Sequence, residues 1–204
     1  MNDLNRALGD ISSIRRQVAR STEFHGYGPA TLAATGLFAI AAAGVQALWV
    51  RDAAHHLAAY LGVWITTAVL SAALIGAQML TRARRMHSGM ADEMIGMAVE
   101  QFLPSAGAGV LVTLVLARYV PAALWMLPGI WQVIFSLGVF ASCRFLPRAI
   151  AAAGAWYLLT GLFCISLGDG RALSPWAMGV PYGAGQLLVA AILLVSAKEG
   201  GDVR

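Results

Sequence analysis

The side chains able to do chemistry in this sequence are few and stand in apolar surroundings: Gln46, Gln78, Glu100, Gln101, Gln132, Tyr157, Thr160 and Gln186. A buried amide without a partner costs on the order of 1 to 3 kcal/mol, so each position calls for a reason. Gln46, Gln132 and Gln186, with Trp131 and Tyr182 close to two of them in sequence, make the most suggestive set. Amides both donate and accept hydrogen bonds, and the rings offer flat apolar walls. With no fixed charge among them, these five residues are candidates to hold a small neutral or lipid-like ligand in an outward-facing cavity. Pro128 and Pro181 lie within about a turn of two of those glutamines, and a proline inside a helix frees a carbonyl that another group must satisfy. Gly129, Gly183 and Gly185 allow another backbone or a ligand to approach closely. The competing reading treats the amides as bonds between helices, each worth about 0.6 to 2 kcal/mol.

Glu100 is the one acidic residue that could lie well inside an apolar stretch, and there it would be a candidate proton-coupling carboxylate. No basic partner stands within a span, and the amphipathic start of its segment favours an interfacial position instead. No catalytic set is expected, because no Ser/His/Asp or Cys/His combination occupies compatible positions. No metal and no cofactor are expected either. Adjacent His55 and His56 cannot both face one ion from a regular helix, and His25, His87, Cys143 and Cys164 do not converge with them at metal-ligand spacing. In the topology set out below, the two cysteines fall at opposite membrane faces, too far apart for a disulfide.

The elements that would position these groups are hydrophobic spans. Of 204 residues, 59% are hydrophobic and 12% charged, with mean hydropathy +0.70, which excludes an ordinary soluble domain. Stretches near Pro29–Val50, Ala58–Leu80, Met94–Leu116, Pro121–Cys143, Ala149–Leu167 and Pro175–Ala197 each approach the roughly 20 residues that cross a bilayer as helix. The fold class expected is all-α: a polytopic membrane protein, a bundle of six transmembrane helices preceded by an amphipathic cytoplasmic helix. Residues 1–28 form that helix and its linker, 29–197 the transmembrane domain, and 198–204 a cytoplasmic tail. The acidic residues before the first span and the lack of a cleavage site argue against a cleaved signal.

An even number of spans puts both termini on one side. Eleven basic residues (Arg6, Arg15, Arg16, Arg20, Arg82, Arg84, Arg85, Arg144, Arg148, Lys198 and Arg204) fall on that side, against Arg51, Arg118 and Arg171 on the other. Both termini are therefore expected in the cytoplasm. Trp49, Tyr60, Trp64, Tyr119, Trp125, Trp176 and Tyr182 cluster toward the opposite ends, as an interfacial aromatic belt would. The net charge of +4 reports orientation in this frame, and no direct nucleic-acid partner is expected.

Ahead of the first span, Leu4, Leu8, Ile11, Ile14 and Val18 recur at helical spacing, with the arginines largely off that stripe. This helix can lie on the lipid bilayer, pack on the bundle, or present residues 2–22 to a cytoplasmic regulator. In the third span, MIGMAVEQFLPSAGAGVLVTLVLA either begins near Met94 and bends at Pro104, or an interfacial segment ends near Gln101 and a shorter span follows. Small residues repeat at packing distance: Thr35, Ala39, Ala43 and Ala47; Ala72 and Gly76; Ser105 and Gly109; Gly179 and Gly183. Such stripes drive association in lipid, between helices of one chain or between copies, so a homo-oligomer is a further expected partnership. A short echo, GAGVLVTLVL from Gly107 and GAGQLLVAAILL from Gly183, fits a three-plus-three inverted repeat.

Four segments, IRRQVARSTEFHGYGPATLAATGLFA, LPGIWQVIFSLGVFASCRFLP, AWYLLTGLFCISLG and ALSPWAMGVPYGAGQLL, together resemble a family of uncharacterised bacterial six-span membrane proteins whose members resemble one another over nearly the whole chain. Leu127, Pro128, Gly129 and Trp131 match that family's fourth-span motif, and Arg15, Arg20 and Ser21 its amphipathic start. The resemblance implies the bacterial inner (cytoplasmic) membrane, and genes beside a winged-helix regulator imply a regulatory pairing. It transfers no activity. The function expected is a non-enzymatic sensor or regulatory partner. The alternatives are a small transporter or channel, and an accessory subunit of a membrane complex.

Overall fold

The computed structural model describes residues 28–50, 52–86, 90–143 and 147–201. Six α-helices follow one another: α1 (Pro29–Trp49), α2 (Leu57–Met86), α3 (Met90–Tyr119), α4 (Leu127–Ser142), α5 (Ala151–Ser166) and α6 (Pro175–Gly201). Short 3-10 turns, Pro121–Met126, Arg148–Ile150 and Gly170–Leu173, lead into the last three. Among the described residues there is no strand, and six helices are long and apolar enough to cross a membrane. The chain is an all-α, six-helix, multi-pass membrane protein. The amphipathic helix expected before the first span, and with it residues 2–22, lies outside the described residues.

One uninterrupted helix runs from Met90 to Tyr119 with Pro104 inside it, and its Phe102–Tyr119 stretch is long and apolar enough to span a membrane. Glu100 lies on the same helix, on an exposed face. The helix of the second span runs on to Met86.

Each helix packs on its neighbours in sequence, and α6 closes on α1. Small residues set the two tightest seams. On α1 the buried face is Leu32, Thr35, Gly36, Ala39, Ala42, Ala43 and Gln46, a single helical stripe. A Cβ on Gly179 of α6 would come within 2.5 Å of the Ala43 Cβ, and one on Gly36 within 3.0 Å of the Gly183 carbonyl oxygen. The α4/α5 seam is reciprocal: a Cβ on Gly129 would lie 2.6 Å from the Gly161 oxygen, and one on Gly161 2.8 Å from the Gly129 oxygen. Backbones this close are what small residues permit in lipid, where van der Waals contact replaces the hydrophobic drive.

The remaining two helices are held loosely. Only 11% of the apolar window of α2 and 6% of that of α3 is buried, against 33 to 39% for the other four, and the two meet each other only sparsely. A Cβ added to Gly76 on α2, or to Gly107 or Gly109 on α3, would meet nothing within 4 Å. The two halves of the sequence echo thus sit in unlike surroundings, since Gly183 and Gly185 of α6 abut Ile40 and Tyr157.

Candidate functional site

The ends of the bundle differ, and the polar chemistry gathers toward the one rich in tryptophan. Gln46, three residues from the end of α1, has no exposed surface. Its Nε2 donates to the Leu173 carbonyl at 2.8 Å, and its Oε1 accepts from Trp64 Nε1 at 2.7 Å. One amide thereby joins α1, α2 and the turn that introduces α6. Tyr60, one turn from Trp64, is also fully buried, its ring centroid 6.5 Å from the indole. The belt expectation needs correcting here. Trp49, Tyr119 and Trp176 are exposed on the outside of the bundle, whereas Tyr60 and Trp64 turn inward, the Trp64 indole N–H donating to the Gln46 amide oxygen.

Above this amide opens a cleft of about 420 Å³, lined by Gln46, Val50, Asp52, Ala53, Ala54, Gly170, Leu173, Ser174 and Pro175. Its two loops are internally braced. Asp52 accepts from the His55 backbone N–H and pairs with His55 Nδ1 at 2.8 Å, and this hydrogen bonding holds its carboxyl below the usual range. Across the cleft, Arg171 donates from Nε to both oxygens of Asp169, at 2.9 and 3.0 Å, and from its terminal nitrogen to the Leu167 carbonyl. Asp169 is lowered in the same way, and the Arg171 guanidinium is held more firmly charged by it. Gly168, at φ +71°, supplies the left-handed residue that ends α5. At the start of α6, Ser174 is extended and its carbonyl accepts from the Ala177 N–H, with Pro175 as the first helical residue.

The second polar centre lies deeper. Pro181 sits inside α6 and has no N–H to offer the Ala177 carbonyl four residues earlier. Gln132 of α4 fills that vacancy, its Nε2 donating to the Ala177 oxygen at 2.9 Å. From α5, Trp156 Nε1 donates to the Pro181 carbonyl, also at 2.9 Å. Two helices thus brace the irregular turn of the third. Beside it Phe135, Tyr157 and Tyr182 form an aromatic group, with Phe135 edge-on to Tyr157 at 4.8 Å and to Tyr182 at 5.4 Å, and the two tyrosines 5.3 Å apart.

The five candidate ligand residues are therefore distributed over separate places. Gln46 floors the cleft. Gln132 and Tyr182 belong to the interior centre. Trp131 ties α4 to α3 by donating to Thr113 Oγ1 at 2.9 Å. Gln186 lies on the α1/α6 seam, where a Cβ on Gly36 would come 3.1 Å from its own, and its amide is near the Tyr157 hydroxyl without meeting hydrogen-bond geometry. Glu100 is far along α3 and exposed. Gln78 has a plainer role, since its Oε1 accepts the Gly28 N–H at 3.1 Å and so caps the start of α1. Pro128 lies inside the fourth span, Pro121–Ser142, at the point where the 3-10 turn gives way to α4. The matched motif residues Leu127, Pro128 and Gly129 are all buried there, and Gly129 makes the α4/α5 approach. Sequence reasoning missed Trp64 as a partner for Gln46 and Asp52 as a wall of the cleft. Among the described residues no group of three or more His, Cys, Asp or Glu side chains is placed to hold a metal ion.

Fold and site together define a multi-pass helical membrane protein with, among the described residues, a cleft of mixed polarity at a bundle end and a polar centre inside. No family model matches the chain, and no curated protein or solved structure matches it.

Proposed function

We propose that the protein is a non-enzymatic sensor or regulatory partner of the bacterial inner membrane that takes a small neutral or lipid-like ligand at its tryptophan-rich end. The observation that carries this reading is the placement of Gln46. It lies fully buried beneath the cleft, bonded to both α2 and the turn before α6, so a ligand seated above it that shifts either partner acts on three elements at once. The cleft wall sets Val50, Ala53, Ala54, Leu173 and Pro175 beside Ser174 and the Asp52 carboxylate, a mixed lining suited to an amphipathic molecule. The far side of the proposal is a cytoplasmic regulator engaged through residues 2–22, with both termini cytoplasmic. The experiment is a pull-down from membranes with the full chain and with residues 2–22 deleted. Recovery of a cytoplasmic protein by the full chain alone supports the pairing, and recovery of none by either counts against it. Mass spectrometry of what copurifies with the wild type and is lost in Gln46→Leu tests the ligand.

A second reading, a small transporter, is favoured by the interior proline of α6, since the carbonyl it frees is held by a side chain of another helix, a local gap in the backbone ladder of the kind that discontinuous helices enlarge along substrate paths. Flux in reconstituted vesicles tests it. If Glu100→Gln leaves every flux unchanged, proton coupling through that residue is excluded.

A further inference from the structure

Helices α1 and α2 are tied to each other twice, each time by a glutamine late in one helix that reaches the early part of the other. Gln46, near the end of α1, accepts from the Trp64 indole N–H at 2.7 Å, early in α2. Gln78, late in α2, accepts from the Gly28 N–H at 3.1 Å, immediately before α1. Gly28 and Gln46 stand eighteen positions apart, and Trp64 and Gln78 fourteen. These separations are about five and about four helical turns, so both ties cross one seam.

Between the ties α2 is held by little else. Tyr60 and Trp64 are buried at one end and Met79 at the other, and no residue from Ile65 to Gln78 is buried. A Cβ on Gly76 would meet nothing within 4 Å, and α3 meets α2 only sparsely. α1, by contrast, is pinned along its length to α6 by the close approaches of Gly36 to Gly183 and of Ala43 to Gly179. Relative displacement of the two helices is therefore taken up by α2. A helix without an interior proline has no kink point of that kind, and as a rod fixed at two places it passes movement of one to the other.

The two tied ends touch different things. Gln46 lies beneath the cleft and also donates to the Leu173 carbonyl of the cleft wall. Gly28 opens α1, its carbonyl accepting from the Thr31 and Leu32 N–H groups, and a Cβ on it would overlap the Gln78 amide. It is also the residue through which residues 2–22 join α1. We propose that α2 is a coupling strut: a change at the cleft that moves Trp64 is carried along the helix to Gln78 and alters how firmly Gly28 is held. Its use in regulation rests on the sensor reading, but the coupling itself does not, and the test below involves neither ligand nor regulator.

Selective 15N labelling of glycine and tryptophan in the full-length protein lets NMR follow hydrogen exchange at the two ties. The Gly28 N–H is bonded to Gln78 and the Trp64 indole N–H to Gln46, so each reports its own tie. Trp64→Phe keeps a ring in the buried position and removes the donor. It is expected to speed exchange of the Gly28 amide by about threefold or more. Trp131→Phe, which removes an indole bond between α4 and α3, is expected to leave Gly28 unchanged. In the other direction, Gln78→Ala is expected to speed exchange of the Trp64 indole by a similar factor, since coupling between two sites is reciprocal. Unaltered exchange at the far tie in a folded variant overturns the proposal. So does an equal rise at Gly129 and Gly161 of the α4/α5 seam, which marks general destabilisation. Should Trp64→Phe fail to fold, Gln78→Ala decides by itself.

Discussion

The four helices α1, α4, α5 and α6 and the pair α2 and α3 are built from the same residues, Ala, Gly, Leu and Val, and yet one set interlocks while the other is mostly turned outward. The difference lies in what faces each small residue. Gly129, Gly161, Gly179 and Gly183 all meet another helix at distances that admit no methyl, whereas Gly62, Gly76, Gly107 and Gly109 meet nothing. A small residue is thus neither evidence of packing nor of flexibility by itself. Its partner decides.

The sharpest way to break that comparison is to add bulk on both sides of it. Gly161→Leu is expected to destroy the folded bundle, because its Cβ would strike the Gly129 oxygen on a neighbouring backbone that cannot swing away, a cost beyond the usual penalty of about 1 to 3 kcal/mol for overpacking. Gly109→Leu is expected to leave Tm unchanged. Thermal unfolding in detergent checks both. Next in size comes Gln46→Leu, which strands the Trp64 N–H and the Leu173 carbonyl together. At about 1 to 3 kcal/mol for each orphaned group, it should lower Tm by several degrees and free α2 from α1 in hydrogen exchange. Trp131→Phe then removes a single hydrogen bond, the one to Thr113, for about 0.6 kcal/mol. It should raise exchange in α3 and leave the α1/α6 seam protected.

The smallest expected effect is one of pH. Asp52 and Asp169 both have lowered carboxyl pKa values, so they support the loops while ionised, above the unfolded carboxylate range. That support is lost as pH falls through the lowered values, and both groups are fully exposed, so the global Tm should barely move. Occupancy of the cleft should weaken on acidification in that window, and Asp169→Asn should abolish the Asp169 part of the dependence. Native mass spectrometry sharpens the comparison from the other direction: if Gly76→Leu dissolves an oligomer, the open face of α2 is packed by a second copy in the membrane.

The spans were legible because a helix that crosses lipid must satisfy its backbone internally and be apolar for about 20 residues, a pattern that survives without any tertiary information. The α1/α6 seam was legible in part: Thr35, Ala39 and Ala43 face inward as their spacing predicts, but Ala47 faces out, and Gly36 and Ala42 complete the stripe. The stripe of Ala72 and Gly76 looks the same in sequence and has no partner, since spacing identifies a face and not what covers it. The polar residues were found readily. What sequence could not give was the fate of each hydrogen-bonding atom, which depends on contacts across 18 to 127 positions, such as Gln46 with Trp64 and with Leu173. Trp64 was misdirected for a related reason: an indole suits a headgroup region and a buried acceptor equally well.

Pro181 and Gln132 lie 49 positions apart and form a mutually dependent pair, since one creates the vacancy that the other fills. Either change alone is a defect: Gln132→Leu strands a carbonyl, and Pro181→Ala returns an N–H that competes for it and sets the amide adrift. Made together, the two changes restore an ordinary helix with an ordinary core, and the double variant should recover stability that each single variant loses. Such a pair is a ratchet in the history of a sequence, because once both residues are present neither can be exchanged without passing through a weaker protein.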